Sequence, residues 1–543
     1  MSAIGRNPRC RLAVAAGFLG LLALAGCGST VRLQSQVEVG GSPLAGGGQS
    51  DGLGDSGAVV VASPVTPTAT GGGVTAPPVV LPSHVGSSPA ATTPASVGGS
   101  SPTARPHHHG SVPGRSTPSP TAASIPTTGP GWDAHNVYIG VTTVNDFTTV
   151  AGTLGLKGVN PGSQDKDALS MASALNQAGG IFGRKVVVAF DDQSSASILL
   201  NPDTDASQAC VHFTQDRPVI AVFNTLSPLD TPTFEACFAH AKVPLFNGSI
   251  QPTDTAALAA LGGYVTPIIS PSFTDLAPVW VQRLTAERYF TGWNVSSGSS
   301  GSAAVKVAII AKNNPTSVKA ASLLSAALAR AGHAPVAQFD YTSGADGVTT
   351  NLSSAVLQFR ARGVTHVIGV DGGISSFMSQ AEGQRYYPRY GLSTLNTPES
   401  TLANGNVNAL QLRGAIGVGW DPALDVGSAQ DPGAISSAEK SCLALQERAQ
   451  SYSGLRFAVA IGTEYCDTFN LIKAEALAGG GLSGPDLVRG QGIAGPTFVP
   501  AGTFRSGLRP GDPGLPGAAR DVGYSGKCSC FKYLSSTDYS FGS

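Results

Sequence analysis

The chain beyond residue 132 predicts an α/β fold made of two Rossmann-like, doubly wound lobes. Two observations support this prediction. Short β-branched or continuously apolar runs alternate with helical segments, and the alternation occurs in two separate series. Strand–helix–strand units in series are typical of a parallel sheet with helices on both faces. The Ser/Gly-rich segment 294–302 lies between the two series and is expected to separate the lobes.

The first series opens with a strand, a helix and a second strand. The run 137–142 predicts a strand, and the helix expected over about 165–178 ends at Gly179 and Gly180, because glycine tolerates a left-handed backbone. The run 186–190 is continuously apolar, so we expect a strand covered on both faces, as in parallel sheets. The later elements are a helix across Cys210, a strand at 219–223, a helix containing Phe234 and Cys237, and a strand at 243–246.

The second series repeats this pattern. Its elements are a strand at 305–311, a helix over 317–332, a strand around 336–341, a helix over 352–363 and a strand at 365–370. The chain after residue 131 has roughly 410 residues, which is enough for two ordinary domains.

The N-terminal sequence predicts an export signal. Three arginines precede an apolar stretch that ends at Leu24 and is shorter than the roughly 20 residues needed to span a bilayer. The run Leu-Ala-Gly-Cys that closes it resembles a bacterial lipobox, which implies removal of residues 1–26 and lipidation of Cys27. Two or three acyl chains on one residue would anchor the protein stably. The alternative is an ordinary signal peptide that happens to contain a cysteine.

Residues 27–132 are expected to form a disordered linker. No aromatic residue occurs between Phe18 and Trp132, and Gly, Ser, Thr, Pro, Ala and Val dominate. Such a composition cannot bury enough surface to offset the entropy of the chain, and its prolines extend its reach. The histidines at 107–109 could suggest a metal site, but no Cys, Asp or Glu lies nearby to complete one. We interpret the segment as a stalk that holds the folded part away from the membrane.

Charge and motifs narrow the function further. The formal net charge is −1 and the isoelectric point is near 6.7, whereas a nucleic-acid-binding protein would show a basic face. After residue 132 the sequence contains no G-x-S-x-G, no P-loop and no H-E-x-x-H motif, and its histidines are scattered. We therefore expect no nucleic-acid partner, no cofactor and no enzymatic activity.

Six cysteines are expected in the exported, folded part, because Cys10 leaves with the signal and Cys27 carries lipid. They are Cys210, Cys237, Cys442, Cys466, Cys528 and Cys530. An even number in an exported protein indicates disulfides, although the sequence alone leaves 15 pairings open. Metal binding is the alternative, but no CxxC pair is present to support it.

Five stretches carry a resemblance to a known family. The most specific is NQAGGIFGRKVVVAFDDQ (176–193); the others are VPLFNGS (243–249), VKVAIIAKNN (305–314), VLQFRARGVTHVIGVDG (356–372) and YCDTFNLIKAEALAGGGL (465–482). Together they resemble the type 1 periplasmic-binding fold, and in particular the branched-chain amino acid class of ABC-transporter solute-binding proteins. The resemblance covers nearly all of residues 136–490.

The resemblance implies an architecture and a function. In that fold the chain crosses three times between lobes, which implies a first lobe of 133–272 and 421–500 and a second lobe of 273–420 and 501–543. It also implies a hinge, an interlobe cleft that captures a small polar molecule, an ABC permease as partner, and a monomer. The alternative is a lipid-anchored receptor that senses a ligand or organises the envelope without transport.

The resemblance also implies a disulfide pairing. It implies a first-lobe bond between Cys210 and Cys237 and a second bond between Cys442 and Cys466 in the returning segment. Cys528 and Cys530 are then left to pair with each other.

Asp191 and Asp192 follow the predicted strand at 186–190, at the edge where open α/β sheets bind ligands. One interpretation makes them ligand contacts. The interpretation that we favour has Asp192 accepting hydrogen bonds from backbone amides at a turn or helix start, which aspartate does well.

The ligand-contacting candidates lie in other loops at strand carboxyl ends. Hydroxyls, amides and helix-start N–H groups suit a carboxylate or another small polar group, and an acidic side chain could hold an ammonium. Each candidate could instead be a helix cap or turn former. The candidates are Asn145, Asp146, Phe147, Thr225, Ser227, Asn247, Ser249, Asn313, Asn314, Asp371 and Glu399.

Two features of the sequence bear on which class of ligand is bound. Amino-acid binders of the family have serine- and threonine-rich first-lobe loops, which FNTLSPLD (223–230) and FNGSIQPTD (246–254) match only loosely, so the ligand class stays open. In the second lobe, Asp371 ends an apolar strand and precedes Gly372 and Gly373, which would let a ligand approach the backbone closely. Asp371 is therefore our leading candidate for a contact to a cationic group.

Overall fold

The computed structural model describes residues 125–153, 159–225, 231–342, 347–433, 435–452 and 455–542. The expected signal peptide, Cys27, most of the expected linker and Ser227 lie outside these residues. In the described part, the chain forms two α/β lobes, each built on its own sheet with a parallel core.

The first lobe begins with five strands separated by helices. The strands are β1 (Asn136–Thr143), β2 (Lys185–Asp192), β3 (Ala221–Asn224), β4 (Leu245–Asn247) and β5 (Val265–Pro267). The helices are α1 (Phe147–Thr153), α2 (Gln164–Gln177), α3 (Ser195–Leu200), α4 (Pro202–Val211), α5 (Pro232–Ala241) and α6 (Thr255–Ala260). The strands pair in the order β2-β1-β3-β4-β5, and every pair is parallel. This is the doubly wound arrangement that the sequence predicts.

Strand β2 corrects one expectation. The apolar run 186–190 predicts a strand covered on both faces, but Val187 and Val188 are only half-buried. The reason is the strand order, because β2 lies at the edge of the sheet and pairs only with β1. An apolar composition does not reveal whether a strand is central or at an edge.

The second lobe follows as a longer series. Its strands are β6 (Trp293–Asn294), β7 (Ser299–Ser300), β8 (Val307–Lys312), β9 (Ala337–Tyr341), β10 (His366–Gly369), β11 (Arg389–Ser393) and β12 (Ile416–Gly419). Its helices are α7 (Phe273–Ala286), α8 (Pro315–Arg330), α9 (Gly347–Ala361), α10 (Ile374–Gly383), α11 (Pro398–Ala403) and α12 (Ala409–Leu412). Strands β9, β8, β10, β11 and β12 pair in that order and are parallel.

The segment 294–302 is not the boundary between the lobes. Strands β6 and β7 overlap this segment and form a small antiparallel hairpin. The Trp293 indole N–H fixes the hairpin to the second lobe by donating to the carbonyl of Tyr387 at 2.8 Å. Helix α7, which precedes the hairpin, already packs into the second core through Phe273 and Trp280. The division therefore lies before α7, and the Ser/Gly-rich composition reflects a surface hairpin.

After β12 the chain returns to the first lobe. The returning helices are α13 (Pro422–Asp425), α14 (Ser437–Ala449), α15 (Arg456–Gly479) and α16 (Gly484–Ala494). Helix α15 is buried along most of its length, and the ring of Tyr465 packs edge-on against Phe223 of β3 with ring centroids 4.9 Å apart. The first core also includes Ala501, Leu508 and Leu515, so the returning segment extends beyond residue 500.

The tail completes the second sheet. Strands β13 (Ala518–Ser525), β14 (Cys530–Tyr533) and β15 (Tyr539–Ser540) join it antiparallel, with β13 between β12 and β14. The three crossings between lobes lie side by side. The Trp420 indole N–H donates to the carbonyl of Ile269 at 2.7 Å, and the amide of Leu515 donates to the carbonyl of Pro267 at 2.9 Å. All three crossings therefore contribute to one hinge region.

Three disulfides are present, and they are the pairs that the resemblance implies. Cys210 joins Cys237 across α4 and α5, Cys442 joins Cys466 across α14 and α15, and Cys528 joins Cys530. The first two link neighbouring helices of the first lobe.

Replacing Cys442 and Cys466 together by alanine is expected to lower the free energy of unfolding of the first lobe by about 3 kcal/mol. The disulfide closes a loop with a sequence separation of 24 and so restricts the unfolded chain. Urea denaturation followed by circular dichroism measures the loss. The matched control replaces Cys528 and Cys530, whose separation is 2, and should lose much less. Equal losses in both variants would contradict the loop-closure argument.

Candidate functional site

A row of polar side chains crosses the carboxyl edge of the first sheet. Parallel pairing places Thr142 beside Asn224, and Asn224 beside Asn247, at the ends of β1, β3 and β4. The Thr142 hydroxyl donates to Asn224 Oδ1 at 2.7 Å, and Asn224 Nδ2 donates to Asn247 Oδ1 at 3.2 Å. All three side chains are buried. This edge is where open α/β sheets bind ligands, and we call these three residues the polar row.

Local sequence explains why the row forms. Strands β3 and β4 both end in Phe-Asn, and the register pairs Phe223 with Phe246 as well as Asn224 with Asn247. Successive side chains of a strand point to opposite faces. Because both phenylalanines are fully buried in the first core, both asparagines lie together on the other face.

The row continues into the loop after β4. Asn247 Oδ1 accepts a hydrogen bond from the backbone amide of Ser249 at 3.1 Å, and the carbonyl of Ser249 accepts from the Ser270 hydroxyl at 3.1 Å. The hydroxyl of Ser249 is buried and has no hydrogen-bond partner among the described residues. An unpartnered hydroxyl at this edge can bond a ligand without breaking an existing contact.

Thr225 and Gln164 support the row from the β1 side. The Thr225 hydroxyl lies 2.8 Å from Gln164 Oε1 and 3.0 Å from the carbonyl of Thr142. Gln164 Nε2 also donates to the carbonyl of Val144 at 3.1 Å, while its Oε1 accepts from the Val144 amide at 3.2 Å. Gln164, the first residue of α2, therefore holds the loop after β1 and the end of β3 in fixed relation.

Glu464 of α15 lies beneath this edge. Its side chain is buried, and neither carboxylate oxygen has a hydrogen-bond partner among the described residues. The carboxylate fills the space where a side chain at Gly248 would lie, so a larger residue at position 248 would require Glu464 to move. Burial raises the pKa of Glu464 well above its usual value, and the nearby carboxylates of Asp421 and Asp467 raise it further. The folded protein therefore favours the protonated form of Glu464 more strongly than the unfolded chain does.

Asp421 and Asp467 connect this acid to the hinge region. Asp421 caps the start of α13 by accepting a hydrogen bond from the amide of Ala423 at 2.9 Å. Asp467 accepts from the amides of Ala501 and Gly502 at 2.6 and 3.0 Å, which ties α15 to the segment before β13. Burial raises the pKa of each of these two aspartates to about 7, and the backbone hydrogen bonds oppose that rise.

The candidate ligand-binding residues after β1 already contact neighbouring residues of the first lobe. Asp146 accepts hydrogen bonds from the amide and hydroxyl of Ser195 at 2.8 and 2.6 Å, and these bonds lower the pKa of Asp146. Asn145 is exposed, and its Nδ2 lies 3.3 Å from an Asp165 carboxylate oxygen. Phe147 begins α1 and packs against the first core. Asp146 thus orders the loop by joining it to α3.

The carboxylate of Asp371 accepts hydrogen bonds from residues of the second lobe. One oxygen of its carboxylate accepts from the backbone amide of Lys312 at 2.7 Å. The other accepts from the Tyr341 hydroxyl and from the amide of Gly373. Asp371 therefore joins the ends of β8, β9 and β10, and these contacts favour the turn-forming alternative over a contact to a cationic ligand group. Asn313, in the same region, is exposed.

Glu399 lies where the second lobe meets the returning helices. It is half-buried in the first turn of α11, which contacts α13 and α15, and its carboxylate lies beside Gly427. Burial raises the pKa of Glu399, and the Arg456 guanidinium opposes this rise. Among the second-lobe candidates, Glu399 is thus placed at a contact between lobes. Asn314 instead caps α8 by accepting from the Ser317 amide at 2.7 Å.

Asp192 accepts a hydrogen bond from a backbone amide, as we favoured, but not at the turn or helix start that follows its strand. Its Oδ1 accepts a hydrogen bond from the backbone amide of Asn145 at 3.3 Å and from the Thr143 hydroxyl at 3.1 Å. The amide belongs to the loop after β1, whereas Ser194 occupies the position before α3. Asp191 Oδ2 accepts from the Gln193 amide group at 2.5 Å, and burial raises the pKa of Asp191.

The structure brings together three of the predicted site residues and adds others. Thr225, Asn247 and Ser249 lie at the carboxyl edge of the first sheet, and sequence reasoning missed the residues that complete this edge: Thr142, Gln164, Asn224, Ser270 and Glu464. The repeated Phe-Asn ending of β3 and β4 is a signal that could have identified Asn224. Glu464 has no such signal, because its position depends on how α15 returns.

Two open recesses lie away from this edge. One, of about 600 Å³, runs along α2 and the amino-terminal half of β2. The other, of about 690 Å³, lies between the β6–β7 hairpin and Arg389 at the start of β11. Neither reaches the carboxyl ends of the central strands. In the described part of the chain, no group of His, Cys, Asp or Glu is arranged to hold a metal, and no helix has the length and apolarity required to cross a membrane.

Replacing Glu464 by glutamine is expected to stabilise the protein increasingly as the pH rises. The unfolded chain releases this proton above its ordinary pKa of 4.5, whereas burial makes the folded chain retain it. The wild-type protein therefore loses stability relative to Glu464→Gln from pH 4.5 upward, until the pH passes the raised pKa. Thermal unfolding of both proteins across this range measures the effect. The control is Glu447→Gln, exposed on α14, and a pH-independent difference for Glu464→Gln would contradict the argument.

Comparison with known proteins defines the fold. No family model matches the sequence, and no curated protein matches it. Solved structures do match. A type 1 periplasmic binding protein from Bordetella pertussis Tohama I is 12% identical, with a TM-score of 0.52, over 75% of this chain and 99% of that chain.

Two further solved structures carry ligand names. A branched-chain amino acid ABC transporter protein from Thermus thermophilus, with bound valine, is 10% identical, with a TM-score of 0.52, over 75% of this chain and 97% of that chain. A fatty acid ABC transporter substrate-binding protein from Thermomonospora curvata is 13% identical, with a TM-score of 0.51, over 77% of this chain and 95% of that chain. The chain described here has the type 1 periplasmic-binding fold.

Proposed function

We propose that this protein is an extracytoplasmic, lipid-anchored solute-binding protein that captures a small polar molecule between its lobes for an ABC importer. The observation that carries the proposal is the buried polar row of Thr142, Asn224 and Asn247, which ends at the unpartnered hydroxyl of Ser249. A buried row of hydrogen-bonding groups at the carboxyl edge of a parallel sheet is suited to holding a polar ligand.

The chemistry of the row sets the class of ligand. It offers amide and hydroxyl groups, and Ser249 in particular has a free donor and free acceptor positions. A ligand with a carboxylate, hydroxyl or amide group would satisfy these positions. The two structural neighbours are named for valine and for a fatty acid, and these two molecules share only a carboxylate group. We therefore propose that the ligand is a small molecule with a carboxylate or a related polar group.

Hinge motion would deliver this ligand to a buried position. The three crossings are joined by hydrogen bonds at Trp420 and Leu515, so the lobes can rotate about one narrow region. The second-lobe helix α11 already contacts α13 and α15 of the returning segment, with Glu399 at that contact. A permease that recognises the closed state would respond to ligand capture alone.

Replacing Ser249 by alanine is expected to weaken ligand binding by about 1 kcal/mol, because one hydrogen bond to the ligand is lost and no internal bond is broken. A thermal-shift screen of amino acids, fatty acids, aromatic acids and amides first identifies a ligand, and calorimetry then measures its affinity for both proteins. The matched control is Ser322→Ala, exposed on α8. It should bind as the wild type does.

The same two variants test whether the protein delivers its ligand to an ABC importer. Cells that carry Ser249→Ala should take up the identified ligand more slowly at low concentration than cells that carry Ser322→Ala. Unchanged affinity in Ser249→Ala would refute the assigned cleft. Weakened binding with unchanged uptake would instead indicate a receptor without a transport role.

Replacing Cys27 by serine is expected to release the protein from membranes or to block signal cleavage. The Leu-Ala-Gly-Cys run supports lipidation of Cys27, and the stalk up to residue 132 would hold the folded lobes away from the bilayer. Detergent phase separation measures the partitioning, and circular dichroism shows whether the lobes are intact. Unchanged partitioning into the detergent phase would contradict a lipid anchor at this residue.

A further inference from the structure

The β13–β14 hairpin carries a disulfide that the proposed ligand site does not use. The chain reverses between Ser525 and Cys530, which pair across the two strands, and Cys528 is bonded to Cys530 at the tip. Residues 526–529 are exposed, including Cys528 itself. The hairpin lies at the outer edge of the second sheet, since β14 is the last strand in the order. A dissolved or protein-bound thiol can therefore reach the Cys528 sulfur without unfolding of either lobe.

The other two disulfides lie in a different environment. Cys442 and Cys466 are both buried, and Cys210 is buried beside Cys237, which packs against the first core. Attack on a disulfide requires an approaching thiolate to reach a sulfur. The Cys442–Cys466 disulfide is thus shielded while the first lobe is folded. In Cys210–Cys237 only Cys237 is half-buried, whereas in Cys528–Cys530 the Cys528 residue is exposed.

The charge around the tip favours attack by a thiolate. Lys527 immediately precedes Cys528 and forms no salt bridge to any described residue, and Lys532 follows on β14. The segment 522–537 contains no aspartate or glutamate. A neighbouring ammonium attracts an incoming thiolate and stabilises a departing one, because both are anions.

The backbone at the tip also favours opening. Ser529, between the two cysteines, has φ of 52°, in the left-handed region that a residue with a side chain adopts only at a cost in free energy. The disulfide closes a loop with a sequence separation of only 2, so it restricts the unfolded chain very little. Reduction would remove the covalent restraint on Ser529 at little cost to the stability of the fold.

We propose that Cys528–Cys530 is an exchangeable disulfide that accepts two electrons from external thiols. A thiolate attacks the Cys528 sulfur, a mixed disulfide forms, and Cys530 leaves as a thiolate. A second external thiolate then attacks the external sulfur of the mixed disulfide and releases Cys528. The two external thiols are oxidised to one disulfide, and their two protons end on Cys528 and Cys530. The source is either a low-molecular-weight thiol or a dithiol of another exported protein.

The test uses the folded full-length protein in two arms, one with reduced glutathione and one with a reduced CxxC thiol–disulfide oxidoreductase. Free thiols are alkylated without denaturant and located by peptide mass spectrometry. Label should appear on Cys528 and Cys530 at least about ten-fold faster than on the other four disulfide-bonded cysteines, Cys210, Cys237, Cys442 and Cys466. The faster arm identifies the source of the electrons. Equal labelling of all six cysteines, or no labelling at the tip in either arm, would overturn the proposal.

A charge-reversal pair tests the role of the tip. Lys527→Glu should slow labelling of Cys528 several-fold, while Lys319→Glu, exposed on α8 and distant in sequence from every cysteine, should leave it unchanged. Melting curves show that both variants fold. Equal rates in the two variants would contradict the electrostatic part of the argument. Ligand binding is measured separately, so failure here leaves the solute-binding proposal untouched.

Discussion

The parallel pairing of β1, β3 and β4 is the constraint on which the site depends. Parallel strands all end at the same edge, so one register brings Thr142, Asn224 and Asn247 into hydrogen-bond contact. Their burial is tolerable because each polar group finds a partner in its neighbour. The hydroxyl of Ser249 is the exception, and it lies where a ligand would be expected. The polar row is therefore a structural element, and the proposed ligand site rests on it.

The sequence predicts the two-lobed fold, most element positions and the disulfide pairs, because these follow from local patterns and from a resemblance. It predicts poorly whatever depends on distant partners. The edge position of β2 depends on strand order, and the hairpin over 294–302 depends on an anchor at Trp293. The hydrogen bonds of Asp371 depend on Lys312 at the end of β8 and on Tyr341 at the end of β9. Glu464 lies at the site because α15, which is far along the chain, packs back against the first lobe.

The hinge region concentrates buried acids, and this has an energetic consequence. Burial raises the pKa of Glu464, Asp421 and Asp467, and the Asp421 carboxylate raises the pKa of the other two further. Each is favoured in its protonated form more strongly in the folded protein than in the unfolded one, so stability declines as the pH rises through the raised values. The disulfide between Cys442 and Cys466 and the burial of α15 offset this cost. The tip of the β13–β14 hairpin, at Cys528, is exposed and carries Lys527 instead of acidic residues.

Hydrogen–deuterium exchange with an identified ligand tests the central claim most directly. We expect slower exchange in the amides that follow β3 and β4, at Thr225 and residues 248–250, and at the start of α11, since closure would bury these segments around the ligand. The β13–β14 hairpin should be unaffected. Slower exchange confined to another surface, such as the recess beside Trp293 and Arg389, would contradict a cleft between the lobes.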